Sequence, residues 1–311
     1  MLHATEKVIN LITDQEELIS IVTSAIGDGP HNIVVPLERF DPIPESGQRA
    51  VSAGNRLQIN RFHIEFEPAA TWNPRPDWPL IRKLNGRILK AAPHMRAALH
   101  AGTPDPGVHE LLGRSFSQAE NLEDHFVRAL AQPASRLVAG FHQADRELSL
   151  TAALNLAGLG TGLTPAGDDF LAGAMMACWA GFSPRKTLEF LPAAAEGAGQ
   201  RTTRLSTAYL RSAAQGEFGQ VWHLLLQGLI GGDDRAWQRS LQEILRIGHN
   251  SGAYTLTGFV NIVAPAVGRS GMCAFARDSI EVYKIDEPFE FPYNLSQQGK
   301  PNGGDSRENR T

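Results

Sequence analysis

The chain has 311 residues, 42% hydrophobic and 20% charged, ordinary proportions for a globular protein with a sizeable core. Its formal net charge of −4 argues against a nucleic-acid partner, which selects a basic face. Cys178 and Cys273 are too few and too far apart for a disulfide framework or a metal knuckle, and residues 170–182, the longest apolar stretch, are too short to cross a bilayer.

Residues 1–13 lack the basic start, apolar block and small-residue cleavage site of a signal peptide, so a cytoplasmic protein with no membrane partner is expected. The first part reads as β-rich. Residues 31–37 (H-N-I-V-V-P-L) have a β-branched centre, and residues 56–67 alternate strictly through Leu57, Ile59, Phe62, Ile64 and Phe66. A phase slip at Asn60–Arg61 predicts a bulge or a turn. The proline-rich run W-N-P-R-P-D-W-P over 72–79 marks a boundary.

Beyond it the pattern is helical. Leu122, Phe126 and Leu130 lie four apart on one face, and Pro133 is expected to interrupt that helix. Leu148, Ala152 and Leu156 give another helix, with Gly158 at the position of a C-terminal glycine cap. Further helices are expected over 205–214, 218–229 and 234–247, the last with Trp237, Leu241 and Ile244 inward, Asp233 or Asp234 capping it, and Gly248 ending it. The expected fold class is α+β. A β-rich N-terminal domain over 1–79, for which a small barrel is one possible form, precedes a mainly helical domain over 80–268. A C-terminal extension over 269–311, polar from Ser296, is expected to be partly disordered.

Residues 158–173, G-L-G-T-G-L-T-P-A-G-D-D-F-L-A-G, carry the strongest functional signal. Gly158, Gly160 and Gly162 make a loop able to adopt backbone angles closed to other residues, while Thr164 reads as a helix cap with Pro165 at the first helical position. Bare N–H groups at a helix start suit an anion. The loop joins two helices rather than following a strand, which counts against a dinucleotide fingerprint, and no G-K-[ST] follows. Asp168 and Asp169 could serve as a general base, a substrate-amide acceptor or magnesium ligands; the plain alternative is that acids in a first turn complement the helix dipole. Adjacent helical side chains diverge by about 100°. One carboxylate therefore faces the ligand, assigned to Asp169, while Asp168 holds the loop.

Two further constellations follow. In I-G-H-N-S-G-A-Y-T-L-T-G-F, over 247–259, His249 could act as acid or base, and Asn250 and Ser251 could bind a carbonyl or phosphate oxygen or merely cap a helix. In R-T-T-R-L-S, over 201–206, Arg201 and Arg204 could pair with an anion and Thr203 or Ser206 could donate hydroxyls, against the plainer reading of a capped, solvated helix start. The remaining histidines have no zinc spacing, no G-x-S-x-G elbow occurs, and no cofactor is identified; magnesium is a metal the acid pair could take.

Taken together, G-L-G-T-G-L-T-P-A-G-D-D-F-L-A-G, T-T-R-L-S-T-A-Y-L-R-S-A-A-Q-G and I-G-H-N-S-G-A-Y-T-L-T-G resemble the family that includes the H subunit of bacterial oxamate carbamoyltransferase, formerly a domain of unknown function. The chain departs from the family pattern at Ala166, where serine is usual, and at Tyr254, where tryptophan is usual. The resemblance implies a subunit of a multi-subunit enzyme of allantoin degradation, partnered by other subunits. That enzyme interconverts oxalurate plus phosphate with oxamate plus carbamoyl phosphate. Gly158, Gly160, Thr161, Gly162 and Thr164 would then cradle a small anionic substrate, joined by Thr203, Ser206, Asn250 and Ser251, with Asp168, Asp169 and His249 as the proton-transfer candidates. The alternative is a non-catalytic structural subunit whose glycines allow tight helix packing. The catalytic reading expects the 158–169 and 249–252 loops to meet, with 202–206 at their rim.

Overall fold

The computed structural model describes residues 1–59, 61–66, 69–113 and 125–265. Strands come first. β1 (His3–Ala4), β2 (Val8–Ile12), β3 (Leu18–Thr23) and β4 (Asn32–Val35) form one sheet in that order. β2 and β3 pair antiparallel, with Ile9 opposite Ile21 and Leu11 opposite Ile19, and β4 lies parallel to β3. β5 (Ala50–Ala53), β6 (Arg56–Ile59) and β7 (Phe62–Glu65) form a second, antiparallel sheet. β6 and β7 lie on either side of the phase slip and pair antiparallel, Ile59 opposite Phe62; Asn60 lies outside the described residues. Ile9, Leu11 and Ile21 from the first sheet and Leu57 and Ile59 from the second share one small apolar core with Val35 and Phe40. The β-rich region is thus two small sheets over a common core, and not one closed barrel.

Helices fill the rest of the described chain: α1 (Trp78–Lys83), α2 (Asn85–Gly102), α3 (Pro106–Gly113), α4 (His125–Gln143), α5 (Arg146–Leu156), α6 (Ala166–Trp179), α7 (Leu191–Gly199), α8 (Arg204–Ala214), α9 (Gln220–Gly231), α10 (Asp234–Ile244) and α11 (Ser251–Val263). The α+β class expected from the pattern is the one observed. Three local expectations need correction. Pro133 does not break its helix but sits buried inside α4, where a long apolar face offsets the lost backbone hydrogen bond. Phe126 does not point inward with Leu130; it is exposed while Leu130 is fully buried. The helix expected to reach 247 ends at Ile244, though Trp237, Leu241 and Ile244 are buried and Asp233 caps it through the Ala236 N–H at 3.0 Å. Leu122 and the extension from 269 lie outside the described residues.

Helix α6 is the centre of the large core, with apolar or small residues buried almost all round it. It packs in parallel with α11, and small residues set their separation. A Cβ on Gly173 would stand 1.7 Å from the Thr255 carbonyl oxygen, and one on Gly258 would stand 2.0 Å from that of Phe170. The helices therefore touch backbone to backbone, with their N-termini side by side. The first sheet abuts α8 and α9: the Gln220 N–H donates to the Asp28 carbonyl at 2.8 Å, His31 Nε2 lies 3.0 Å from Ser212 Oγ, and Arg204 pairs with Glu16 at 3.2 Å. No helix among the described residues is long and apolar enough to cross a membrane.

Candidate functional site

The site forms where α5 ends, α6 begins, and the starts of α8 and α11 meet them. Gly158, Gly160 and Gly162 all take positive φ, at 73°, 114° and 96°. Gly158 passes close to the Arg201 carbonyl, and Gly160 close to the Ala166 N–H, so neither has room for a side chain; Gly162 has open space around its Cα. Gly160, Thr161, Gly162 and Leu163 are exposed, and no acceptor among the described residues engages their backbone N–H groups. The cap differs from expectation. Pro165 is the N-cap of α6, its carbonyl accepting from the Asp168 and Asp169 N–H groups, because its extended ψ of 149° turns the chain there. That leaves the Thr164 side chain free to reach Ser251, with 2.8 Å between their hydroxyl oxygens.

The two acids diverge as helix geometry requires. Asp168 is buried and accepts from the Gly158 N–H at 3.0 Å, from the Ser206 hydroxyl at 2.7 Å and from the Thr202 hydroxyl. It ties the glycine loop to the start of α8. Burial pushes its carboxyl above the ordinary value, against these three donors. Asp169 is half-buried and bonds with Ser251 at the start of α11. Burial holds its carboxyl well above the ordinary carboxylate range, the Asp168 charge adds to that, and hydrogen bonding by Ser251 and Thr164 opposes it. A carboxyl so raised keeps its proton closer to neutral pH, as acid–base work demands.

The remaining candidates fall around this pair. Thr203 caps α8 through the Ser206 N–H at 3.0 Å, and its hydroxyl also donates to the Leu163 carbonyl, clamping the glycine loop. The arginines of that segment are engaged elsewhere, Arg201 with the Leu154 carbonyl at 3.3 Å and Arg204 with Glu16. Asn250 is the N-cap residue of α11 yet makes no side-chain cap bond. Its amide nitrogen instead donates to Asp105 Oδ2 at 2.6 Å. His249 is exposed and lines a cleft of about 350 Å³ with Asn250, Ala253 and residues 102–106, on the α3 side of the α11 start. Thus Thr164, Asp169 and Ser251 come together, Asp168 joins Thr202 and Ser206 beneath the loop, and His249 with Asn250 faces the neighbouring cleft.

Sequence reasoning missed Asp105 and Tyr209. Asp105 stands in P-D-P-G, the signature of a capped helix start, and its partners are 145 and 149 positions away, so nothing local revealed them. Tyr209 lies on α8; its burial raises its phenol, hydrogen bonding with Ser20 opposes that, and the Asp169 charge adds to it. Among the described residues no group of three or more His, Cys, Asp or Glu is arranged to hold a metal ion.

Residues 156–263 match the family model described as oxamate carbamoyltransferase subunit AllH, and residues 6–71 match the AllH family N-terminal domain. Together these cover more than half of the chain. No solved structure matches it.

Proposed function

The chain belongs to the AllH family of oxamate carbamoyltransferase subunits, and from that premise we propose that it carries substrate-binding and proton-transfer groups of the reaction rather than serving as a scaffold alone. Other subunits of the enzyme are its partners. In the proposed reaction a phosphate oxygen bonds to the ureido carbon of oxalurate, the carbon–nitrogen bond to the oxamate amide breaks, and that nitrogen takes up a proton. The reverse direction takes the proton back. Asp169 is the proton carrier in this reading. The exposed N–H groups over 160–163 cradle the phosphate, and the hydroxyls of Thr164 and Ser251 orient the carbamoyl group.

One observation carries the proposal: a carboxyl with a raised pKa meets two hydroxyls from distant segments beside a glycine loop whose N–H groups are open. Packing explains Gly158, Gly160, Gly167, Gly173, Gly252 and Gly258, since a Cβ on each would collide with backbone. It does not explain Gly162, where an added Cβ would meet nothing within 4 Å. The structural-subunit reading accounts for those six and leaves Gly162 and the open N–H groups over 160–163 without a purpose. The test is to co-express the chain with its genomic neighbours, purify the complex, and assay carbamoyl phosphate formation from oxalurate and phosphate. Asp169→Asn is expected to abolish it with the complex intact; full activity would transfer the case to the structural reading.

A further inference from the structure

Asp105 lies outside the glycine loop and outside every motif singled out above, yet it is the hub of the neighbouring cleft. Its Oδ1 accepts from the Gly107 N–H at 2.8 Å, capping α3, and from the Tyr254 hydroxyl at 2.8 Å. Its Oδ2 accepts from Asn250 Nδ2 at 2.6 Å. Tyr254 is buried and Gly107 packs against its hydroxyl, so this arrangement is held from three sides. A carboxylate can only accept, and therefore it dictates which end of the Asn250 amide it meets. The nitrogen is drawn to Asp105 and the oxygen Oδ1 is turned away, with no donor among the described residues reaching it. Asn250 lines the cleft beside His249, and Ser251, the next residue, reaches Thr164 at the Asp169 side.

We propose that Asp105 is a positioning residue that fixes Asn250 as a hydrogen-bond acceptor, so that the cleft receives the primary-amide N–H of the substrate. The inference rests on the proposed carbamoyl-transfer reading and adds to it a source of specificity. Oxamate presents –C(O)NH₂ where the isosteric dianion oxalate presents –COO⁻. An acceptor fixed at Asn250 Oδ1 favours the first and repels the second, because two acceptors cannot share a proton. Asn250 is accordingly an acceptor for substrate nitrogen, and not the oxyanion donor that its type alone suggests.

The test uses the purified complex and two probes, oxamate as substrate with carbamoyl phosphate in the direction that forms oxalurate and phosphate, and oxalate as competitor. Asp105→Asn preserves shape and the acceptor for Gly107 and Tyr254, but places a donor against Asn250 Nδ2 and so reverses the Asn250 amide. The expected result is a KM for oxamate raised at least about tenfold, the scale of one mispaired hydrogen bond, with tighter oxalate inhibition and little change in kcat. The reciprocal pair Asp105→Asn with Asn250→Asp restores donor to acceptor across the contact and again leaves an acceptor facing the cleft, so it should recover most of the oxamate preference. Asn250→Ala, which leaves the α3 cap untouched, should raise the same KM even where Asp105→Asn folds poorly. An unchanged oxamate-to-oxalate preference in Asp105→Asn, or an unchanged KM in Asn250→Ala, overturns the proposal. Asp169→Asn in the same assay separates the two levels. If it is inactive while Asp105→Asn behaves as wild type, only the role of Asp105 falls; if it is fully active, the underlying site reading falls with it.

Discussion

Thr164 and Ser251, 87 positions apart in the chain, hold their hydroxyl oxygens 2.8 Å from each other. The contact exists because α6 and α11 run parallel at backbone contact, which sets their first turns side by side. Asp169, on the facing side of α6, becomes the third member of the junction. A carboxyl there is costly to ionise, and that cost makes the site testable.

Asp169→Asn should separate activity from stability. Folding raises the Asp169 pKa, so the folded state holds that proton more tightly than the unfolded chain. Its contribution thus favours folding at low pH and is lost as pH rises from the unfolded carboxylate value through the folded one. Asparagine mimics the neutral form at every pH. The variant should melt no lower than the parent at pH 7, its Tm gain over the parent growing as pH rises from the unfolded carboxylate value through the folded one, while activity falls roughly 10²–10⁴-fold, the usual worth of a general acid–base group. A variant both less stable and fully active would contradict both parts.

Asp168→Ala should behave oppositely. The Gly158 N–H and the hydroxyls of Ser206 and Thr202 lose their acceptor together, and the loop loses its tie to α8. Part of that loss is offset because burial already disfavours the Asp168 charge. A net destabilisation of about 1–3 kcal/mol in denaturant unfolding is expected. Stability unchanged from the parent would mean that the loop is held by Thr203 alone.

Much of this was legible in residues 158–169, for a physical reason. Three alternate glycines before a proline have few structural uses, and neighbouring acids on a helix must diverge, so the loop and the split between Asp168 and Asp169 follow from local geometry. The strand alternation and its slip at Asn60–Arg61 were equally local. What stayed hidden depended on packing. Pro133 reads as a breaker in isolation, yet a buried face carries its helix past it. Asn250 reads as a cap or an oxyanion donor until Asp105 is beside it. Thr164 reads as a cap until Pro165 takes that place and Ser251 arrives from α11.

Gly173→Ala tests whether the junction depends on helix contact. The new methyl would stand 1.7 Å from the Thr255 carbonyl oxygen, which is backbone and cannot swing aside. The helices must separate, at a cost of about 1–3 kcal/mol or more. Separation also parts Thr164 from Ser251, so activity should fall by more than the loss of folded protein explains. Thermal melts and specific activity of the folded fraction measure the two effects; a loss of stability with full specific activity would disconnect the helix contact from the site.

The glycine loop can be tested by charge at constant strain. Gly162 has φ of 96° and nothing within 4 Å of an added Cβ, so a side chain there meets strain but no clash. Asparagine and aspartate are the non-glycine residues that tolerate positive φ best, and they are nearly the same size. Gly162→Asn therefore measures the strain, and Gly162→Asp adds one negative charge to the same strained loop. If the N–H groups over 160–163 hold phosphate, the aspartate variant should raise the KM for phosphate about fivefold beyond the asparagine variant, a repulsion on the order of 1 kcal/mol near a protein surface. The gap should narrow as salt rises, because exposed charges are screened. The KM for oxalurate should move much less, since its ureido group lies at the Thr164–Ser251 side in the proposed arrangement. Equal phosphate KM values for the two variants, at low and high salt alike, would remove the phosphate from the loop.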